Sequence, residues 1–272
     1  MNIVVLVKQV PDTYGERTLR EDGRIDRERG TPALDEIDER ALEVALRLRE
    51  TAGGEVTVLT MGPPEAVVAL RKALAMGADR AVHVCDEALA GSDALQTAAV
   101  LAAAVLAAAV RATAAPGAAT FDLVVAGNES TDGRTAAVPA MLAERLGLPQ
   151  LTFLGSVAVD AGIVTGLRIT PEGTTELCAA LPAVISVTEG SAQPRFPNFK
   201  GIMSARSKPL TTLTLADLAD HGLVEAEAGG ANSWSLVCTV TARPARAGGT
   251  VISDDGTGGS RIAAFLAAAN LI

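Results

Sequence analysis

The stretch Phe121-Asp122-Leu123-Val124-Val125-Ala126 decides the fold class of this chain, because a polar loop and a helix-like pattern follow it directly. A short apolar run of this kind is typical of a buried strand in a parallel sheet. The loop at 127–139 and the helix pattern at 141–147 complete a strand–loop–helix unit. In such units ligands bind beyond the carboxyl end of the strand, and phosphates bind at the helix start. The stretch therefore predicts an α/β fold with an anion-binding loop; an ordinary polar loop without a ligand is the alternative.

The same alternation of strand and helix patterns extends from the amino terminus to about residue 190. Further strands are predicted at four apolar, β-branched runs, which are 2–7, 55–60, 80–84 and 181–187. Helices are predicted at two amphipathic patterns and an alanine-rich run, which are 35–50, 65–76 and 94–110. Strands that alternate with helices through short loops are typical of parallel pairing. The sequence thus predicts a mostly parallel sheet.

The pattern changes after Pro149. Three β-branched runs separated by glycine-containing turns, at 157–159, 163–169 and 174–177, predict a β-hairpin insertion. From about residue 217 the chain is rich in Gly and Ala and has too few large apolar residues to pack as a domain by itself. We therefore divide the chain into a domain at 1–215 and a C-terminal arm at 216–272. The arm ends in a helix pattern with an apolar face, which indicates packing on a partner; a disordered tail is the alternative.

Composition excludes several classes of partner. The formal net charge of −9 argues against nucleic acid and anionic membranes, and only 3% aromatic residues argues against base stacking. The first strand reaches Lys8 too early for a signal-peptide core, which predicts a cytoplasmic protein. The longest apolar stretch, 94–110, is too short to span a bilayer, so we expect no membrane insertion.

Motifs for bond chemistry are missing from the sequence. No GxGxxG follows the first strand, and no GxxxxGK[ST] occurs. The three cysteines have no metal-like spacing, and the lone His83 at a strand end is typical of a structural residue. Asp35 and Asp38 stand near a predicted helix start, where carboxylates usually cap helices. The sequence therefore indicates a nucleotide-binding or carrier protein rather than an enzyme.

Five motifs in a fixed order resemble the β subunit of electron transfer flavoprotein. They are Lys8-Gln9-Val10-Pro11-Asp12, the helix pattern at 34–48, the segment 71–80, the loop at 127–138, and Leu181-Pro182-Ala183-Val184-Ile185 leading to 194–196 and 202–205. Each motif is weak alone, but their order over about 200 residues is specific.

The resemblance implies a doubly wound, mostly parallel sheet of the adenine-nucleotide α-hydrolase-like type. It also implies a heterodimer in which an α subunit holds the redox-active FAD and this chain holds AMP. The AMP contacts of the family fall on four groups of residues here, which are Leu6, Val7 and Lys8; Asp35, Glu36, Ile37 and Asp38; Met61; and Gly127, Asn128, Glu129, Ser130, Thr131, Asp132, Gly133, Arg134, Thr135, Ala136, Ala137 and Val138.

This sequence departs from the family pattern at several of these positions. Ala136 and Ala137 stand where some relatives carry Asn and Gln, so only the main chain can serve a phosphate there. Arg134 replaces an acidic residue and is able to pair with phosphate. Electron-bifurcating relatives hold a second FAD at this site; the residues at 134 and 137 favour AMP. A family tyrosine near the flavin aligns with Thr13, and Tyr14 is its possible substitute.

The irregular basic segment 193–208 resembles the loop that docks partner dehydrogenases. The docking residues implied by the resemblance are Arg195, Phe196, Phe199, Lys200, Ile202 and Met203, with Phe199 as the anchor. Dehydrogenases would then donate electrons, and a quinone oxidoreductase or similar protein would accept them, without bond chemistry by this chain. The rival interpretations are a regulator resembling universal stress proteins and a nucleotide-cleaving enzyme.

Overall fold

The computed structural model describes residues 1–15, 18–112, 121–241, 244, 248–249, 251 and 253–272. For residues 110–112 and 225 it describes the backbone alone. The chain divides into two compact units, Met1–Cys238 and Thr239–Ile272.

The first unit is built on a nine-stranded sheet. Its strands are β1 (Asn2–Leu6), β4 (Glu55–Met61), β5 (Arg80–Val84), β6 (Leu123–Gly127), β7 (Gln150–Asp160), β8 (Ile163–Thr170), β9 (Gly173–Ala180), β10 (Ala183–Val187) and β11 (Leu210–Leu213). Their order is β11-β5-β4-β1-β6-β10-β7-β8-β9. All pairs from β11 to β7 are parallel, whereas β7, β8 and β9 pair antiparallel. The mostly parallel sheet and the predicted hairpin insertion are both confirmed. A separate two-stranded pair joins β2 (Gln9–Pro11) to β3 (Pro32–Leu34).

Helices cover both faces of the sheet. The helices of the first unit are α1 (Glu36–Ala52), α2 (Val67–Met76), α3 (Ala94–Ala112), α4 (Val138–Leu146), α5 (Phe199–Ala205) and α6 (Leu215–Leu218). The second unit, taken by itself, contains α7 (Gly258–Ala268). Alternate residues of β1 point to opposite faces, as the strand period of two requires. Ile3 and Val5 pack in one core with α1 and α2, and Val4 and Leu6 pack in another with α3 and α4. These two cores give the doubly wound arrangement.

Capping residues fix where the principal helices begin. Asp35 is the N-cap of α1, and its side chain accepts a hydrogen bond from the Ile37 amide. Asp93 accepts from the amides of Leu95 and Gln96 at the start of α3. Both are the side-chain type that satisfies the free amides of a first turn.

The first part of the predicted arm packs on its own domain. Leu218 and Ala228 are buried. The amides of Trp234 and Ser235 both donate to the Asp93 carboxylate at 2.9 Å. Burial raises the pKa of Asp93, but four backbone hydrogen bonds outweigh it and hold that pKa below its usual range. The compact unit therefore extends to Cys238, beyond the boundary at 215 that the composition predicts.

The helix α7 of the second unit confirms that the arm ends in a helix. Its side chains Ile262 and Phe265 are exposed. None of the helices in the described residues has the length and hydropathy required to span a bilayer.

Candidate nucleotide site and docking segment

The direction in which successive strands are added to the sheet reverses between β1 and β6, and the carboxyl ends of these two strands lie side by side. β4 and β5 extend from one side of β1, and the chain then crosses to β6 on the other side. Crevices at such switch points bind ligands in open α/β sheets. Lys8 follows β1, Met61 ends β4, and the loop 127–138, hereafter the nucleotide loop, begins at the last residue of β6. The residues predicted to contact a nucleotide therefore lie near the carboxyl ends of the parallel strands.

Asp38 joins the ends of these two strands. Its carboxylate accepts hydrogen bonds from the backbone amide of Lys8 at 2.8 Å and from that of Gly127 at 3.3 Å. Burial, and then the nearby charge of Asp35, raise the pKa of Asp38 well above its usual range. A carboxyl that is buried between two strand ends in this way serves to fix the backbone where a ligand would sit.

Asp35 holds the nucleotide loop against the start of α1. One carboxylate oxygen caps the helix, and the other accepts from the amide of Thr131 at 2.6 Å and from its hydroxyl at 2.9 Å. Asp35 is fully buried. Its role thus includes the capping that the sequence predicts and also a tertiary contact 96 residues along the chain.

The carboxylate of Asp132 forms ion pairs with two cationic side chains. Lys8 Nζ lies 2.8 Å from one of its oxygens, and Arg27 Nε lies 2.7 Å from the other. Burial raises the pKa of Asp132, but the charges of Lys8 and Arg27 outweigh it and hold that pKa well below its usual range. Two cationic side chains from distant parts of the chain thus meet this one carboxylate of the nucleotide loop.

Left-handed backbone in the nucleotide loop falls on two residues that are not glycine. They are Arg134 (φ 50°) and Ala136 (φ 56°), whereas Gly127 and Gly133 have no positive φ. Gly127 is required for close approach, because a Cβ there would lie 2.7 Å from Asp38 Oδ1. Left-handed backbone at non-glycine residues is uncommon and concentrates at ligand-binding sites.

The remaining predicted contacts surround this network. Leu6, Val7 and Ile37 are buried, whereas Glu36, Met61, Asn128, Glu129 and Ser130 are half-buried. Gly133, Arg134 and Thr135 are exposed, and Ala136, Ala137 and Val138 are half-buried at the start of α4. No side chain caps that helix start, and Pro139 stands in its first turn.

The two candidates for a flavin contact lie beside the nucleotide loop. The Thr13 hydroxyl is 3.5 Å from that of Thr131. The Tyr14 side chain is 90% exposed. A contact between either residue and a flavin stays a prediction.

Residues 193–208, hereafter the docking segment, contain a short helix where the sequence suggests irregular structure. Asn198 caps α5 by accepting from the Gly201 amide at 2.8 Å, a local signal that the composition of the segment obscures. The helix packs beside α2, and Lys208 donates to the carbonyl oxygens of Leu74 and Ala78. Five of the predicted docking residues are exposed, namely Phe196, Phe199, Lys200, Ile202 and Met203.

Arg195, the sixth predicted docking residue, lies in an ion-pair network within this chain. Its guanidinium contacts Glu43 at 2.7 Å and Glu50 at 2.5 Å, both on α1. Hydrogen bonds to Glu43 and Glu50 raise the pKa of Arg195. The side chain is therefore paired inside the chain rather than free on the surface.

Comparison with known proteins decides the family. Residues 22–218 match the family model of the electron transfer flavoprotein domain. The electron transfer flavoprotein subunit beta of Mycobacterium bovis is 50% identical over 277 residues, which cover 100% of this chain and 99% of that protein. This chain belongs to the electron transfer flavoprotein β-subunit family.

Two more distant relatives have the same kind of name. The electron transfer flavoprotein subunit beta of Thermoanaerobacterium thermosaccharolyticum is 36% identical over 217 residues, covering 80% of this chain and 79% of that protein. The acryloyl-CoA reductase electron transfer subunit gamma of Anaerotignum propionicum is 34% identical over 226 residues, covering 83% and 82%. The family resemblance seen in the sequence is confirmed.

Two parts of the site in this family member were missed by sequence analysis. Arg27 stands in a polar segment with no motif, and only the fold brings it to Asp132. The side chain of Glu43 is only 4% exposed, but an acidic residue does not contribute to the apolar periodicity by which the buried face of a helix is identified in a sequence. Neither residue could be selected without knowing which distant segment packs against it.

The described residues contain no group of His, Cys, Asp and Glu that could hold a metal ion. His83 is buried and its Nε2 lies 3.0 Å from the Gly62 carbonyl oxygen.

Proposed function

We propose that this chain is the β subunit of a heterodimeric electron transfer flavoprotein, that it binds AMP at the ends of β1 and β6, and that it docks dehydrogenases in the cytoplasm. Electrons would pass to an FAD held mainly by the α subunit, and this chain would perform no bond chemistry. The observation that carries the proposal is the convergence of Lys8, Asp35, Asp38 and the nucleotide loop at the switch point of the sheet.

The start of α4 supports a phosphate position. Its N-cap, Ala137, has no oxygen in its side chain, and no other side chain caps the helix. Left-handed backbone at Ala136 is followed by right-handed backbone at Ala137. Such alternation turns successive amides toward one point, and the helix dipole adds to their positive potential. Main-chain recognition of a phosphate fits the small side chains at these positions.

The choice between AMP and a second FAD depends on Arg134, on the exposed part of the nucleotide loop. Arg134 is exposed, and its Nε donates to the Thr131 carbonyl oxygen at 3.4 Å. A guanidinium on the loop that leads into α4 suits a terminal phosphate, which carries more charge than a pyrophosphate within a dinucleotide. We therefore favour AMP; a bifurcating subunit with a second FAD is the alternative.

A nucleotide analysis tests this proposal. The chain and its α subunit are produced together, purified as a complex and heated to release bound nucleotides for mass analysis. We expect a yellow complex that releases one FAD and one AMP. Two FAD would indicate a bifurcating complex. A colourless, stable single chain would contradict the proposal and favour a regulator resembling universal stress proteins.

The docking segment supports the role in electron transfer. Phe196 and Phe199 are 91% and 80% exposed, and Ile202 and Met203 are about half exposed. Large exposed apolar side chains grouped on one short segment usually mark a protein interface. One relative is named as the electron transfer subunit of acryloyl-CoA reductase, which suggests an enzyme of acyl-CoA redox chemistry as the docking partner. A quinone oxidoreductase or similar protein would be the acceptor.

Replacing Phe199 with Ala should raise the KM for an acyl-CoA dehydrogenase by about 10- to 30-fold, since an aromatic anchor contributes roughly 2 kcal/mol to an interface. Flavin and nucleotide content should not change, because Phe199 is on the surface. The measurement is the rate of flavin reduction in the complex as dehydrogenase concentration varies. Leu106→Ala removes an exposed apolar side chain on α3, across the sheet from α2, and should leave KM unchanged. Loss of flavin in the Phe199 variant would argue against docking.

A further inference from the structure

The docking segment is attached to α1 through a buried acid. Glu43 lies in the middle of α1 with only 4% of its side chain exposed, and it contacts Arg195 through both carboxylate oxygens, at 2.7 and 3.2 Å. The Arg195 amide also donates to Glu43, at 3.3 Å. This geometry places three hydrogen bonds between one helix residue and one residue of the docking segment.

Further contacts continue the attachment along the same helix. Arg40 donates to the carbonyl oxygen of Ala192 at 2.9 Å, and Arg47 donates to that of Gln193 at 3.3 Å. Arg47 also pairs with Glu43 at 2.7 Å, so the buried carboxylate is shared by two guanidinium groups. The start of the docking segment and the residue before it are thus held on α1 at Ala192, Gln193 and Arg195.

The energetics favour a rigid attachment. A buried carboxylate is costly unless it is paired and hydrogen-bonded, and removing one partner of such a pair is strongly unfavourable. Burial raises the pKa of Glu43, but hydrogen bonds from Arg195 and Arg47 outweigh it and lower that pKa below its usual value. The carboxylate is therefore ionised at neutral pH. Its contribution to stability is complete above the pKa of an unfolded Glu and is lost as pH falls through the lowered value.

We propose that Glu43 and Arg195 are positioning residues for docking: their ion pair holds the docking segment on α1, so that Phe196 and Phe199 are presented in one fixed arrangement. This inference rests on the docking role proposed above. Pre-organisation of this kind strengthens binding because less conformational entropy is lost when the partner arrives. Phe196 directly follows Arg195, and Phe199 is the first residue of α5, next to the N-cap Asn198. A shift of Arg195 would therefore be transmitted to both aromatic side chains.

The test uses the complete complex with an acyl-CoA dehydrogenase as the probe. Arg195→Gln and Glu43→Gln should each raise the KM for the dehydrogenase by roughly 5- to 10-fold, with kcat and flavin content unchanged. Hydrogen exchange of the amides at 193–203 should accelerate in both variants. Glu55→Gln removes an acid from the exposed Arg80–Glu55 ion pair and should change neither quantity.

A combined variant separates this proposal from a general loss of stability. If Arg195 acts by positioning Phe196 and Phe199, Arg195→Gln should have little further effect on KM in a background that carries both Phe196→Ala and Phe199→Ala. Fully additive effects, or an unchanged KM in the Arg195 and Glu43 variants while Phe199→Ala raises it, would overturn the positioning role alone. An unchanged KM in the Phe199 variant itself would overturn the docking function on which the role rests.

Discussion

Replacing Asp35 with Ala should lower the free energy of unfolding by about 3 kcal/mol and abolish the nucleotide binding proposed above. The variant loses the cap of α1 and leaves the amide and hydroxyl of Thr131 without their acceptor in a buried place. Unsatisfied buried donors are costly, and here the loss also releases the nucleotide loop from α1. Urea unfolding and the molar ratio of released nucleotide to protein measure the two effects.

Two control variants assign the effect of Asp35 to its separate contacts. Glu36→Ala removes an acid from the same first turn and serves as the control for stability, because its interaction with the helix dipole contributes about a few tenths of a kcal/mol. Asp35→Ser keeps an N-cap oxygen on a side chain too short to reach Thr131 as well. The serine variant should therefore recover part of the stability but not the nucleotide. Full nucleotide binding in Asp35→Ala would show that the loop is held by other contacts.

Replacing Gly127 with Val should be the second most damaging change, at about 2 to 3 kcal/mol. Even a Cβ at this position would lie 2.7 Å from Asp38 Oδ1 and 3.0 Å from Ile37 Cγ2, and both atoms belong to buried residues at the start of α1. Because neither neighbour can turn toward solvent, α1 must move away from β6. Such a shift would weaken the hydrogen bonds from the Lys8 and Gly127 amides to Asp38.

Gly190 provides the matched control for this substitution. A Cβ there would meet only Thr188 Oγ1, at 4.0 Å, and its φ is not in the left-handed region. Gly190→Val should therefore change the unfolding free energy by less than about 0.5 kcal/mol. The difference between the two valine variants in urea midpoint, at equal slope, measures the cost of close packing at the end of β6. Equal midpoints would mean that α1 can move without penalty.

Local patterns predicted much of this molecule. The apolar run at 121–126 overlaps β6, and the runs at 157–177 lie in the antiparallel strands β7, β8 and β9. The acid before the first long helix is the N-cap of that helix. Such features depend on residues within one turn or one strand, so the sequence expresses them directly. The polar segment at 19–25 likewise closes locally, through an antiparallel bridge between Leu19 and Ile25.

Contacts between distant segments were not accessible in this way. Arg27 and Asp132 are 105 residues apart, and Glu43 and Arg195 are 152 residues apart. No periodicity records which charged residues will meet, because either partner alone resembles a solvated surface residue. The same holds for the extension of the compact unit to Cys238, which depends on where Asp93 is placed by the start of α3.

The sequence by itself determined the alternation of strands and helices, the loop after β6 and the family to which the chain belongs, because these reside in short patterns and their order. Only the tertiary structure decided that Asp35 and Asp38 hold that loop, that left-handed backbone falls on Arg134 and Ala136, and that Arg195 pairs within the chain. The physical reason is burial. A carboxylate that loses its water must find donors wherever the fold supplies them, and those donors come from strands and loops far away in the sequence.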